Sequence, residues 1–180
     1  MWDTDRMRVY IPATSSDLAD DRPPVTSAFT AVVPPEATGE DADVLEDSAQ
    51  TEAALVSLMR LREAEGVEAR RRIVLAADAD PGTVAVMDPA DATSRIAEVA
   101  AGQLSWSDVT AILVDGPDAE DAVGAVLAAA DQEEADRAVA ALWEHSLEWF
   151  DISERDLLLA GPQPSGGASS SAGTDPAEEN

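Results

Sequence analysis

Apolar residues in this chain come in short runs with β-branched or aromatic members, cut by Pro, Gly and Asp. The first run is Met7–Thr14, Met-Arg-Val-Tyr-Ile-Pro-Ala-Thr, which has the make-up of a buried strand. Arg70–Asp78 and Val109–Val114 repeat it, and three such runs make a sheet. Thr26–Val33, closed by Pro34-Pro35, reads as another strand, as do Thr83–Met87, Ser94–Ala100 and Leu147–Ile152. Between the first two runs, Thr14-Ser15-Ser16-Asp17 offers side-chain oxygens that can cap one helical turn over Ser16–Asp21. Arg22-Pro23-Pro24 ends that turn, because proline lacks the N–H and restricts the residue before it.

Helical spacing appears in four places. The longest helix runs from about Asp43 to Glu65, after an acidic loop over Glu36–Asp43. Leu45, Ala49, Val56 and Met59 make one stripe, and Ala54, Leu58 and Leu61 a second, roughly opposite. Two stripes imply cover on more than one side, by the sheet and by another helix or a partner. Leu58 and Leu61 are therefore candidate partner contacts, together with Trp149 on the last strand. Asp115-Gly116-Pro117-Asp118 starts a helix carrying Ala119, Ala122, Val123, Val126, Leu127 and Ala130 on one face. Glu133–Trp143 is a third helix, and Ser153-Glu154-Arg155-Asp156 resembles a capping box before Leu157-Leu158-Leu159.

These elements give an α+β (α/β-like) class, a mixed sheet with helices packed on it. The expected organisation is a flexible extension over residues 1–6, one domain over 7–160, and a disordered Gly/Ser/Pro-rich acidic tail over 161–180. The tail has too few apolar side chains to offset its ordering entropy. Met7 is an alternative start, since the first strand begins there. Arg8-Val9-Tyr10-Ile11 and Arg72-Ile73-Val74-Leu75 also hint at an internal duplication.

Composition narrows the function. Hydrophobic residues make up 45% and aromatics only 4%, so the core must rest on Ala, Val, Leu and Ile. All 11 basic residues are Arg, against 37 acids, for a formal net charge of −26. Such Arg, Ala, Asp and Gly usage suggests a G+C-rich genome. The charge repels phosphate backbones and anionic lipid surfaces, which disfavours direct nucleic-acid and membrane binding. It suits a basic protein partner, a cation, or solubility alone. Cys is absent, which excludes disulfides and thiolate chemistry. The N-terminus lacks a signal-peptide pattern and no apolar run is long enough to span a membrane, so the expected location is cytoplasmic.

Absences also limit the chemistry. Without Lys there is no Walker A or Schiff-base lysine, and His145 is the single histidine. The one arrangement with catalytic potential is acidic. Asp78 and Asp80 follow one strand, while Asp115 and Asp118 follow another. If those strands are parallel neighbours, Asp78, Asp80 and Asp115 converge at one sheet edge and could hold Mg²⁺. Otherwise they make turns and caps. Arg70, Arg71 and Arg72 form the basic cluster, suited to an anion or to neutralising acids of the chain itself. Trp106, Trp143, Trp149 and Phe150 are core or interface anchors.

The stretch Arg8-Val-Tyr-Ile-Pro-Ala-Thr-Ser-Ser-Asp-Leu18 resembles the opening of an actinobacterial family, a domain of unknown function. The resemblance continues through Arg72–Asp78 and Val114–Glu120 to Leu147-Glu148-Trp149-Phe150 and the helix after it, covering about Met7 to Leu159. It implies a small α/β fold and supplies no activity. The expected function is a non-enzymatic protein-interaction or regulatory module with no cofactor. Alternatives are a Mg²⁺-dependent enzyme built on the strand-end carboxylates and an acidic mimic of nucleic acid.

Overall fold

A computed structural model describes residues 6–24, 27–64, 69–88, 95–100, 102 and 104–160. The expected tail over 161–180 and most of the expected N-terminal extension lie outside these residues. Arg6, which belongs to that extension, has a structural role: it donates to Asp78 O at 2.9 Å and lies 3.6 Å from the Asp108 carboxylate.

The strands are β1 (Met7–Ala13), β2 (Ser27–Ala31), β3 (Ile73–Ala79), β4 (Ala85–Asp88), β5 (Ile96–Ala100), β6 (Val109–Asp115) and β7 (Leu147–Asp151). They form one seven-stranded sheet in the order β4-β5-β2-β1-β3-β6-β7, with β1 in the middle. Every pairing is antiparallel, where the sequence led us to expect a mixed sheet. Pro12 sits in this central strand without penalty. It lacks an N–H, and β2 pairs with β1 only around Tyr10, opposite Phe29.

The helices are α1 (Gly39–Glu63), α2 (Glu120–Ala128), α3 (Gln132–Leu142) and α4 (Arg155–Ala160). Helix α1 starts four residues earlier than its apolar spacing suggests. Thr38 caps it, its side chain taking the Asp41 N–H while the Asp41 carboxylate takes the Thr38 N–H. The stretch read as an acidic loop is thus partly a helical first turn, where carboxylates suit the helix dipole.

Alternation along the strands divides the core between the two sheet faces. Tyr10, Val74, Ala76, Ala111 and Leu113 meet α1 through Ala49, Ala53 and Ala54. On the other face, Val9, Ile11, Ile73, Leu75, Ile112 and Val114 lie beneath Leu18, Leu104 and Leu158, which come from the short 3-10 turn Asp17–Ala19, a loop and α4. A third cluster joins the last turns of α1 to α2 and α3. Leu58 and Leu61 are only 6% and 7% exposed there, packed with Val123, Val126 and Leu142. The second stripe of α1 is therefore core, and neither leucine is open to a partner. Met59 is exposed, and Ser57 takes an inward place among the alanines.

Candidate functional site

The polar centre of the molecule lies where β3 begins and β6 ends. Three consecutive arginines enter β3, and strand alternation sends them to different surroundings. Arg72 is fully buried. Its Nε and Nη2 donate to the two Asp115 oxygens at 2.9 and 2.7 Å, and its backbone N–H adds a third bond at 2.8 Å. Nη2 also reaches His145 O at 3.0 Å, and the guanidinium lies 5.3 Å from the Trp143 ring. This is a buried bidentate pair whose Nη2 also serves the His145 carbonyl, an arrangement that holds β3, β6 and the α3–β7 connection together.

Arg71 points to the opposite face. Its Nη2 donates to Leu158 O at 2.9 Å, while its Nε is closed to solvent and makes no hydrogen bond among the described residues. Burial alone pulls this guanidinium below its ordinary pKa. It lines a cleft of about 580 Å³ with Ser15, Val114, Phe150, Leu157 and Leu158. Arg70 lies along α2, its Nη1 3.1 Å from where a Cβ on Gly124 would sit.

Strand β7 forms one edge of the sheet and faces both ways. Glu148 and Phe150 line the cleft. Trp149, opposite Leu113 in the register, is 63% exposed, and Trp143 is 42% exposed. Glu148 lies across Gly116 so closely that a Cβ there would be 2.5 Å from its Oε1 and 2.8 Å from Asp118 Oδ1. Glycine thus lets two carboxylates approach over one spot. His145 Nδ1 stands 3.3 Å from Asp118 Oδ2, and the His145 backbone carbonyl serves Arg72.

The structure does not bring Asp78, Asp80 and Asp115 together. β3 and β6 are antiparallel, so the end of one lies beside the start of the other. Asp115 holds Arg72 at one end of β3, and Asp78 sits roughly 20 Å along it at the other. Asp78 accepts from Arg8 Nε at 2.7 Å, and Asp80 caps a short turn through the Gly82 N–H. Among the described residues, no three His, Asp or Glu side chains are grouped to hold a metal ion.

A family model matches residues 7–159, the whole α+β domain. The chain belongs to the family of unknown function DUF6912. No curated protein and no solved structure matches it. The matched span ends inside α4, so this DUF6912 domain takes in the cleft, β7 and the Arg72–Asp115 pair. Among the described residues, no helix is long and apolar enough to cross a membrane. The sequence singles out Trp149 as a contact candidate. It gives no sign of the roles of Gly116 and Glu148, because a glycine at a strand end looks like an ordinary turn.

Proposed function

We propose that this domain is a non-enzymatic interaction module that docks a basic protein segment along β7. The observation that carries this reading is Trp149, a large aromatic side chain 63% exposed on an edge strand. Aromatic residues of this kind are the usual energetic anchors of protein interfaces. An edge strand also offers backbone N–H and C=O groups to an added strand. The acids on the other face of the same strand favour a positive partner. Glu148 and Asp118 converge over Gly116, within reach of one arginine or lysine side chain. The same acids discourage a second copy of this acidic chain from pairing there.

The opposite edge, β4, also exposes Val86 and Met87. It is shorter, has an irregular register against β5, and carries no aromatic anchor. β7 is accordingly the preferred edge. The test is affinity capture from the source cell with the native chain and with Trp149→Ala, read by quantitative mass spectrometry. The expected result is a basic protein retained by the native chain and depleted with the variant. A partner held equally by both would place the interface elsewhere.

A further inference from the structure

The cleft on the other face of β7 carries a separate inference, independent of the edge-strand reading. We propose that it binds an amphipathic monocarboxylate, a molecule with an aliphatic or arylalkyl body and one carboxylate, which pairs with Arg71. Three observations support this.

The first is shape and lining. A volume of about 580 Å³ falls within the roughly 300–1,000 Å³ common for small-ligand sites. Its lining surface is mainly apolar, with Val114, Pro117, Phe150, Leu157, Leu158 and Leu159 among the residues that form it. Such a surface rewards an apolar body rather than a small hydrated ion.

The second is the state of Arg71. A guanidinium has five N–H donors, and this one makes a single hydrogen bond among the described residues, to Leu158 O. The other arginines that the fold draws inward are matched. Arg72 has Asp115, Arg60 has Asp17, and Arg155 reaches Leu18 O and Asp20 O and stacks on Trp106 at 4.2 Å. Arg71 has no ion pair among the described residues, in a chain with 37 acids. A partly desolvated cation of this kind gains from a carboxylate, whose two oxygens fit the guanidinium fork. Ser15 lines the same wall, and its Oγ is closed to solvent with no hydrogen bond among the described residues.

The third is selectivity. Glu120 and Glu148 line the cleft together with Arg70 and Arg71, and Asp115 is already neutralised by Arg72. The two glutamates offset the two arginines, so the lining has no net positive charge to hold a multiply charged anion such as inorganic phosphate. A single carboxylate needs only Arg71, with its body against Phe150 and Leu158.

The test uses the full chain with octanoate, octanamide and inorganic phosphate as probes. Binding is followed by calorimetry and by ¹⁵N resonances of the Arg71 Nε–H and the Gly116 amide. The expected result is saturable octanoate binding that shifts both resonances. Octanamide should bind about tenfold more weakly, as a lost charge-assisted pair implies, and phosphate should show no saturation. Arg71→Met should weaken octanoate about tenfold, and Arg71→Lys, which keeps the charge but loses the fork, by less. An acetylated apolar dipeptide with a free C-terminus, set against its amide, separates a protein chain end from a free acid as the source of the carboxylate. The comparison of octanoate with octanamide needs no variant, so a misfolded Arg71→Met would leave the test intact. Equal binding of the two, shifts confined to another surface, or no saturation with octanoate would overturn the proposal.

Discussion

The Ser57 hydroxyl is buried in α1 and donates to Ala13 O at 2.7 Å, while accepting from the Ile73 N–H at 3.0 Å. It thereby joins the helix to the end of β1 and the start of β3, which face each other in the register. Ser57→Ala leaves a buried carbonyl and a buried N–H unpaired, and should cost about 1–3 kcal/mol in chemical denaturation. A loss below a few tenths of that would mean other groups take over both bonds. Tyr10 gives a second residue-level expectation. It is the one tyrosine in the chain, buried under α1 with its hydroxyl 3.2 Å from Glu46. Burial, and then the charge of Glu46, raise its pKa well above the ordinary value. A raised folded-state value means the contribution to stability is complete below about pH 10, where the unfolded phenol titrates. It is lost as pH rises from there through the folded-state value. Near-ultraviolet absorbance should therefore show no phenolate in the folded chain at about pH 11, with phenolate appearing on unfolding. A normal titration near pH 10 without unfolding would contradict the buried placement.

At the scale of elements, the contrast between α1 and β7 separates core from contact surface. Leu58→Asp puts a carboxylate among Val123, Val126 and Leu142, and should abolish the folded circular dichroism spectrum or lower Tm by many degrees. Trp149→Ala removes an exposed side chain and should leave the spectrum intact. A folded, stable Leu58→Asp would show that the α1–α2–α3 cluster is loosely packed. All seven strands were legible as short runs with β-branched or aromatic members. The helix stripes were less so. Ala49, Ala53 and Ser57 face inward but carry little hydrophobic signal, while Met59, which has plenty, is exposed. The start of α1 was hidden because Gly39-Glu40-Asp41 reads as a loop until Thr38 is seen to cap it. The site was harder to read because it depends on strand order. Nothing local says that β3 and β6 are antiparallel, and that relation alone separates Asp78 from Asp115. Likewise, adjacent arginines look alike in sequence, while the pleat gives Arg72 a buried carboxylate and Arg71 the wall of a cleft.

For the whole molecule, a net charge of −26 acts on encounter more than on affinity. Exposed charges are screened over about 8 Å at physiological ionic strength. The association rate with a basic partner should therefore fall steeply as salt rises, while the dissociation rate, set by the contacts around Trp149, changes less. Stopped-flow or surface-based kinetics at several salt concentrations would check this, and an association rate indifferent to salt would remove the electrostatic part of the account. The two faces of β7 divide the work: one presents Trp149 and the other lines the Arg71 cleft. The most direct measurement of the central claim is amide hydrogen exchange across the whole chain, with and without the partner recovered through Trp149. Docking along β7 predicts that the amides of Leu147–Asp151 facing away from β6 change from fast to strongly protected exchange, with α1 and β4 unchanged. Protection confined to β4, to the helices, or absent from β7 would contradict it.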